Sequence, residues 1–144
     1  MKRDYPDRPL IGVGAVIVEN GSAVIVRRAH EPLKDEWSIP GGVLEIGETL
    51  RSGAAREALE ETGLVVEPGE VLEVLDRILR DGAGGIQFHY VLIDFLCHRI
   101  SGELRAGGDA SEVRWINRNE LESFPIADSA AAVIRKALDA ARST

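Results

Sequence analysis

The chain has 144 residues, 44% of them hydrophobic and 28% charged, and carries a formal net charge of −7. That length and apolar content suit one soluble domain, residues 1–144, with a real core, and the acidity argues against a broad basic surface for nucleic acid. The one cysteine, Cys97, excludes an internal disulfide and a cysteine-rich zinc site. Cys97 sits in an apolar run and reads as a small buried hydrophobe. No stretch has the layout of a signal peptide, and none reaches the ~18 apolar residues that span a bilayer. The expected location is cytoplasmic, with no membrane partner.

In chain order, residues 1–9 are polar with two prolines and read as a loose arm. Residues 10–18 are rich in Val and Ile and form a strand. Asn20-Gly21 is a hairpin turn signal, and residues 23–27 are the returning strand. A polar loop over 29–36 leads to a short strand at 37–40, stopped by Pro40-Gly41-Gly42. Residues 49–62 read as a helix, with Thr49 as N-cap and Gly63 at the left-handed C-terminal position. Leu50, Ala54, Ala58 and Leu59 supply its buried stripe. Gly53 costs that helix ~1 kcal/mol relative to Ala, a sign of close packing there. Residues 71–79 and 86–100 are long strands joined by a glycine-rich turn at 81–85; Phe88 and Tyr90 share one face of the second, read as core packing with a base platform as the alternative. Residues 112–116 form a further strand. A final amphipathic helix, capped by Asp128 or Ser129, runs to about Ala141 with Val133, Ile134, Ala137 and Leu138 inward. Strands interspersed with two principal helices suggest a mixed sheet covered on both faces.

The chemistry concentrates in the first helix. Glu57, Glu60 and Glu61 lie at i, i+3 and i+4, which places three carboxylates on one face. Their mutual repulsion destabilises an isolated helix, so something must neutralise it. Arg56, four residues before Glu60, is one answer. A hard divalent cation, Mg²⁺ or Mn²⁺, is the other, because such ions take oxygen ligands.

The flanking residues sharpen this reading. Gly42, Glu48, Arg56, Glu57, Glu60, Glu61 and Gly63 stand at the fixed spacings of Gly, five residues, Glu, seven residues and Arg-Glu-U-x-Glu-Glu-x-Gly-U, with Ala58 and Leu64 at the apolar positions U. Seven such matches arise by chance below ~10⁻⁸ per start position at average residue frequencies. The segment 42–64 resembles the Nudix box, and the likeness extends from about residue 10 through residues 12–18, 26–28, 37–42 and 112–121. The resemblance implies a Nudix-type α/β/α sandwich with a mixed central β-sheet. It also implies a metal-dependent pyrophosphohydrolase acting on a nucleoside diphosphate linked to another moiety, ADP-ribose favoured. Glu60 and Glu61 would be the main ligands to Mg²⁺ or Mn²⁺, joined by Glu57 and the Gly42 carbonyl. Arg56 would orient the carboxylates and Glu48 would brace the loop. Glu112, and more weakly Asp109, are candidates for a general base outside the box.

Outside the box, Arg27 and Arg28 alternate along a strand, so one of them is expected to face a phosphate. Trp37 is weighed both as a base-stacking residue and as a structural one, and Arg8 as a substrate contact from the arm. A (d)NTP pyrophosphatase that releases pyrophosphate is an alternative with the same metal site. A catalytically silent nucleotide sensor is an alternative of another class. A homodimer exchanging its N-terminal arms is compatible with the resemblance.

Overall fold

The computed structural model describes residues 2–31 and 33–142. Its elements run β1 (Leu10–Glu19), β2 (Ser22–Arg28), β3 (Trp37–Ser38), β4 (Gly41–Val43), α1 (Leu50–Thr62), β5 (Leu64–Arg80), β6 (Ile86–Gly102), β7 (Ala110–Asn117), α2 (Arg118–Ser123) and α3 (Asp128–Arg142). The strands make one mixed sheet ordered β3-β2-β1-β6-β5, with β4 paired to β1 and β7 to β2. β1 and β6 run parallel and the other pairs are antiparallel. This is the mixed-sheet α/β arrangement that the sequence suggested.

β1 is the hub because both of its faces are apolar. Val13, Ala15 and Ile17 pack with Ala54 and Ala58 of α1 and with Phe95 of β6. Val16 and Val18, of opposite parity, pack with Ile25 and with Val133, Ile134 and Leu138 of α3. The period of two thus feeds two cores, one on each side of the sheet. Near its start β1 leaves β2 and pairs with β4 instead, so the sheet opens into two wings. The gap between the wings is where the cleft described below forms.

Several boundaries differ from the sequence reading. The stop at Pro40-Gly41-Gly42 is a strand start: Gly14 pairs with Gly41 and Val13 with Gly42. β5 begins at Leu64 rather than 71, running through Pro68-Gly69 by way of register shifts. α3 begins at Asp128 itself, so Asp128 serves as a first-turn acid rather than a cap. Thr49 does cap α1, in a reciprocal box with Ser52, and Gly63 follows in the left-handed conformation at φ 75°. The close packing expected at Gly53 is present: a Cβ there would meet Leu44 Cδ1 at 2.7 Å. The N-terminal arm is anchored by Tyr5, whose hydroxyl donates to Asp81 at 2.7 Å and whose N–H donates to the Gln87 carbonyl. Cys97 is buried, and burial pushes its thiol up to about 12, which leaves it unreactive.

Candidate active site

α1 presents its functional face inward. Its buried residues are Gly53, Ala54, Glu57, Ala58, Glu61 and Thr62. Leu50 and Leu59, expected in that stripe, are exposed instead. The helix thus buries two carboxylates and leaves two leucines in solvent, the reverse of ordinary amphipathicity.

Arg56 organises the acidic groups. Its Nε and Nη2 form a fork on Glu48, at 2.6 and 2.9 Å. Its Nη1 donates to Glu57 at 2.8 Å and to Glu60 at 3.3 Å, and Nη2 also donates to the Val43 carbonyl. Glu48 in turn accepts from the Glu45 N–H. The Arg56 guanidinium holds Glu48 below the usual carboxylate range, and Glu48 first among its partners holds Arg56 above its own. Arg56 thus contacts Glu48, Glu57 and Glu60 at once.

Glu57 lies against the backbone of Gly42, where a Cβ would fall inside its carboxylate. This close approach requires glycine. Burial pushes the Glu57 carboxyl up, opposed by Arg56. Glu61 accepts a hydrogen bond from the Gly41 N–H at 3.0 Å. Burial raises its carboxyl to about 8, with the Gly41 bond opposing and the charges of Glu57 and Asp109 adding to the rise. Glu60 is exposed and accepts a hydrogen bond from Arg56.

A cleft of about 160 Å³ opens beside Glu61. It is also lined by Arg28 and Asp109 and by Gly12, Gly14, Leu92 and Asp94. Asp109 is carried by a loop clamped to α1: the Gly107 N–H donates to the Glu61 carbonyl and the Arg105 N–H to that of Thr62. A second hollow adjoins, shared through Arg3, Arg28, Tyr90 and Asp109.

The structure sorts the residues proposed from sequence. Arg28 faces the cleft, whereas Arg27 is held on the outer side by Glu112 at 2.8 Å and by Asp35 at 3.6 Å. Glu112 is therefore engaged away from the cleft, and of the two outer carboxylates Asp109 is the one that lines it. Trp37 is a core residue, edge-on to Phe124 with ring centroids 4.9 Å apart, and it does not line the cleft. Arg8 is exposed, beside Asp7, and another residue of the arm, Arg3, reaches the cleft. Phe88 and Tyr90 belong to neither core cluster; their rings lie parallel, 6.4 Å apart, over the second hollow. Sequence reasoning missed Arg3, Arg77 and Asp94. Asp94 alone left a signal, as a single acid inside an apolar strand.

The NUDIX domain model matches residues 8–137. The chain belongs to the Nudix family. Over 89% of its length it is 36% identical to a MutT-like protein of Streptomyces ambofaciens, covering 75% of that protein. It is 34% identical over 78% of its length to an ADP-ribose pyrophosphatase of Methanocaldococcus jannaschii, spanning only 64% of that relative. Among solved structures, the MutT Nudix hydrolase of Burkholderia pseudomallei superposes with a TM-score of 0.75 at 28% identity, over 90% of this chain and 98% of the other. The segment 42–64 lies within the matched residues.

Proposed function

We propose that this chain is a divalent-metal-dependent hydrolase that cleaves the diphosphate linkage of a nucleoside diphosphate joined to another moiety, with ADP-ribose the favoured substrate. The observation that carries the reading is the burial of Glu57 and Glu61 against Gly41 and Gly42 at the end of a cleft that also holds Arg28. Two carboxylates raised by burial, with a third exposed beside them, make an oxygen-only donor set of the kind hard cations take. Among the described residues the acidic side chains do not converge on one point; Arg56 draws Glu57 and Glu60, and the Gly41 N–H draws Glu61. The residues fit a cation by chemistry, and Glu57, Glu60, Glu61 and the Gly42 carbonyl are those that would hold it. When bound, Mg²⁺ or Mn²⁺ supplies Lewis acidity toward the phosphoryl oxygens and acidifies water.

The chain's own residues do the rest. Arg56 fixes the direction of Glu57 and Glu60, and Glu48 fixes Arg56 through its two-point contact. Arg28, which lines the cleft, offers its guanidinium to the diphosphate. Asp109, held against the end of α1, is the carboxylate outside the box placed to take a proton from the attacking water. The chain acts as one Nudix domain, with residues 2–9 as an arm that brings Arg3 to the cleft.

The favoured substrate is supported by likeness to the Methanocaldococcus jannaschii ADP-ribose pyrophosphatase. The test is a substrate panel with Mg²⁺ or Mn²⁺ and Glu60→Gln as blank. ADP-ribose should yield AMP and ribose 5-phosphate. Preferred release of pyrophosphate from a nucleoside triphosphate would overturn the substrate, and absence of metal-dependent turnover would overturn the activity.

A further inference from the structure

The deep end of the cleft holds a carboxylate without a protein donor. Asp94, in the middle of β6, is only 7% exposed yet lines the cleft. Its Oδ1 stands over the Cα of Gly14 on the neighbouring strand, in the place a Cβ would take. Among the described residues no hydrogen bond or ion pair to this carboxylate is seen. Burial pushes its carboxyl up to about 6, with the charge of Glu73 across the β5–β6 pair adding to the rise. Glu73 itself is paired with Lys136 of α3 at 3.5 Å. Arg77, another cleft-lining residue, lies four positions along β5 from Glu73, facing Tyr90.

A buried charge without a partner is costly, and an apolar side chain at this strand position would be more stable. Such a group in a native fold calls for an explanation. Its position suggests one. Gly41, Gly14 and Asp94 lie in register across β4, β1 and β6. The Asp94 backbone is therefore about two strand spacings, ~10 Å, from that of Gly41, whose N–H holds Glu61, and its Oδ1, over Gly14, reaches one strand toward it. Only Gly14 lies between them, and the side chains of Leu92, Ile39 and Asp94 lie over Gly12 and Gly14 where a Cβ would otherwise project. Asp94 and Glu61 line the same cleft, so a nucleotide with its phosphates at Glu61 brings its nucleoside toward Asp94.

We propose that Asp94 is the specificity-determining residue of this cleft, its carboxylate accepting paired hydrogen bonds from adjacent donors on the bound nucleoside. Those donors are either the vicinal hydroxyls of a ribose or the N–H edge of a guanine-type base. The inference rests on the nucleotide reading above.

The experiment compares wild type with Asp94→Asn on two matched pairs: a ribonucleotide substrate with its 2′-deoxy counterpart, and a guanine substrate with its hypoxanthine counterpart. Wild type should discriminate within one pair by about 10- to 100-fold in kcat/KM. A ribose reader discriminates in the first pair and a base reader in the second. In Asp94→Asn that discrimination should collapse, with the loss carried by KM, while the melting temperature is unchanged or higher. Retained discrimination, or a uniform loss on all four substrates with a lower melting temperature, overturns the proposal. If wild type cleaves none of them, the proposed function fails. Calorimetric binding of the same four nucleotides then decides this inference, and equal or absent binding by the two proteins overturns it.

Discussion

α1 and α3 pack on opposite sides of one sheet, yet they follow opposite rules. α3 buries Val133, Ile134, Ala137 and Leu138 and turns Arg135, Lys136 and Asp139 to solvent. That is the apolar stripe hydrophobic burial selects. α1 buries Glu57 and Glu61, with only glycine, alanines and Thr62 beside them, and exposes Leu50 and Leu59. The first helix is arranged around its carboxylates and gives up packing for them. The second has no such duty and is arranged for stability. The difference is one of selection, since buried charge destabilises a fold and persists where it serves a site.

The comparison predicts opposite outcomes for truncation on the two helices. Glu61→Gln should lower kcat by ~10³-fold, the equivalent of several kcal/mol of transition-state stabilisation, while the metal-free protein melts no lower than wild type. Steady-state kinetics and calorimetry read the two effects. A Glu61→Gln protein that unfolds early would show the carboxylate to be structural. Ile134→Ala should do the reverse. It should cost about 2–5 kcal/mol of stability in a denaturant titration and leave kcat per folded molecule near wild type, because Ile134 is fully buried in the α3 core and does not line the cleft.

The same contrast explains how much could be read from sequence. α3, the β1–β2 hairpin and the caps of α1 were legible because apolar period and turn chemistry set them. The box was legible because its spacing is rare by chance. The buried face of α1 was misread because an apolar count nominates Leu50 and Leu59, whereas the helix is turned by Arg56, Glu57 and Glu61 engaging Gly41–Gly42 and Glu48. β4 escaped because its glycines have no side chains to alternate. The choice between Arg27 and Arg28 depended on partners 85 residues away, such as Glu112, which local pattern does not contain.

Asp94 extends the α1 rule to a strand and gives it a pH signature. Its folded carboxyl titrates at about 6 against an ordinary 3.8. Between these values the folded state holds the proton and the unfolded chain releases it, so stability from this group is present below about pH 4 and lost as pH rises through 6. The full loss is about 3 kcal/mol. Unfolding titrations from pH 4 to 7 should show this fall in wild type, and Asp94→Asn should make it shallower, leaving the part that Glu61, raised to about 8, contributes. An identical pH slope in the two proteins would remove Asp94 from the account.

Gly53→Ala asks how tightly α1 is held to its loop. In a free helix the change stabilises by ~1 kcal/mol. Here the new Cβ meets Leu44 Cδ1 at 2.7 Å and Glu48 Oε1 at 3.2 Å. The sign should therefore reverse to a loss of about 1–3 kcal/mol by overpacking. Activity should fall with it, since Glu48 carries Arg56. Stabilisation by Gly53→Ala would mean that the loop yields to the helix.

The smallest effect is the most direct probe of the inverted face. Leu59 lies between Ala58, which is fully buried, and Glu60, which is exposed, and is itself 50% exposed. A leucine in a helical stripe normally costs 2–5 kcal/mol to truncate. If α1 is turned by its carboxylates, Leu59→Gln removes little buried area and keeps a good helix former, so it should change stability by less than about 0.5 kcal/mol. Leu138→Gln on α3, where the leucine is buried, is the matched control and should be severe. A large loss from Leu59→Gln would mean that another surface covers this leucine in solution. Sedimentation of the wild-type chain would then show whether that surface is a second copy.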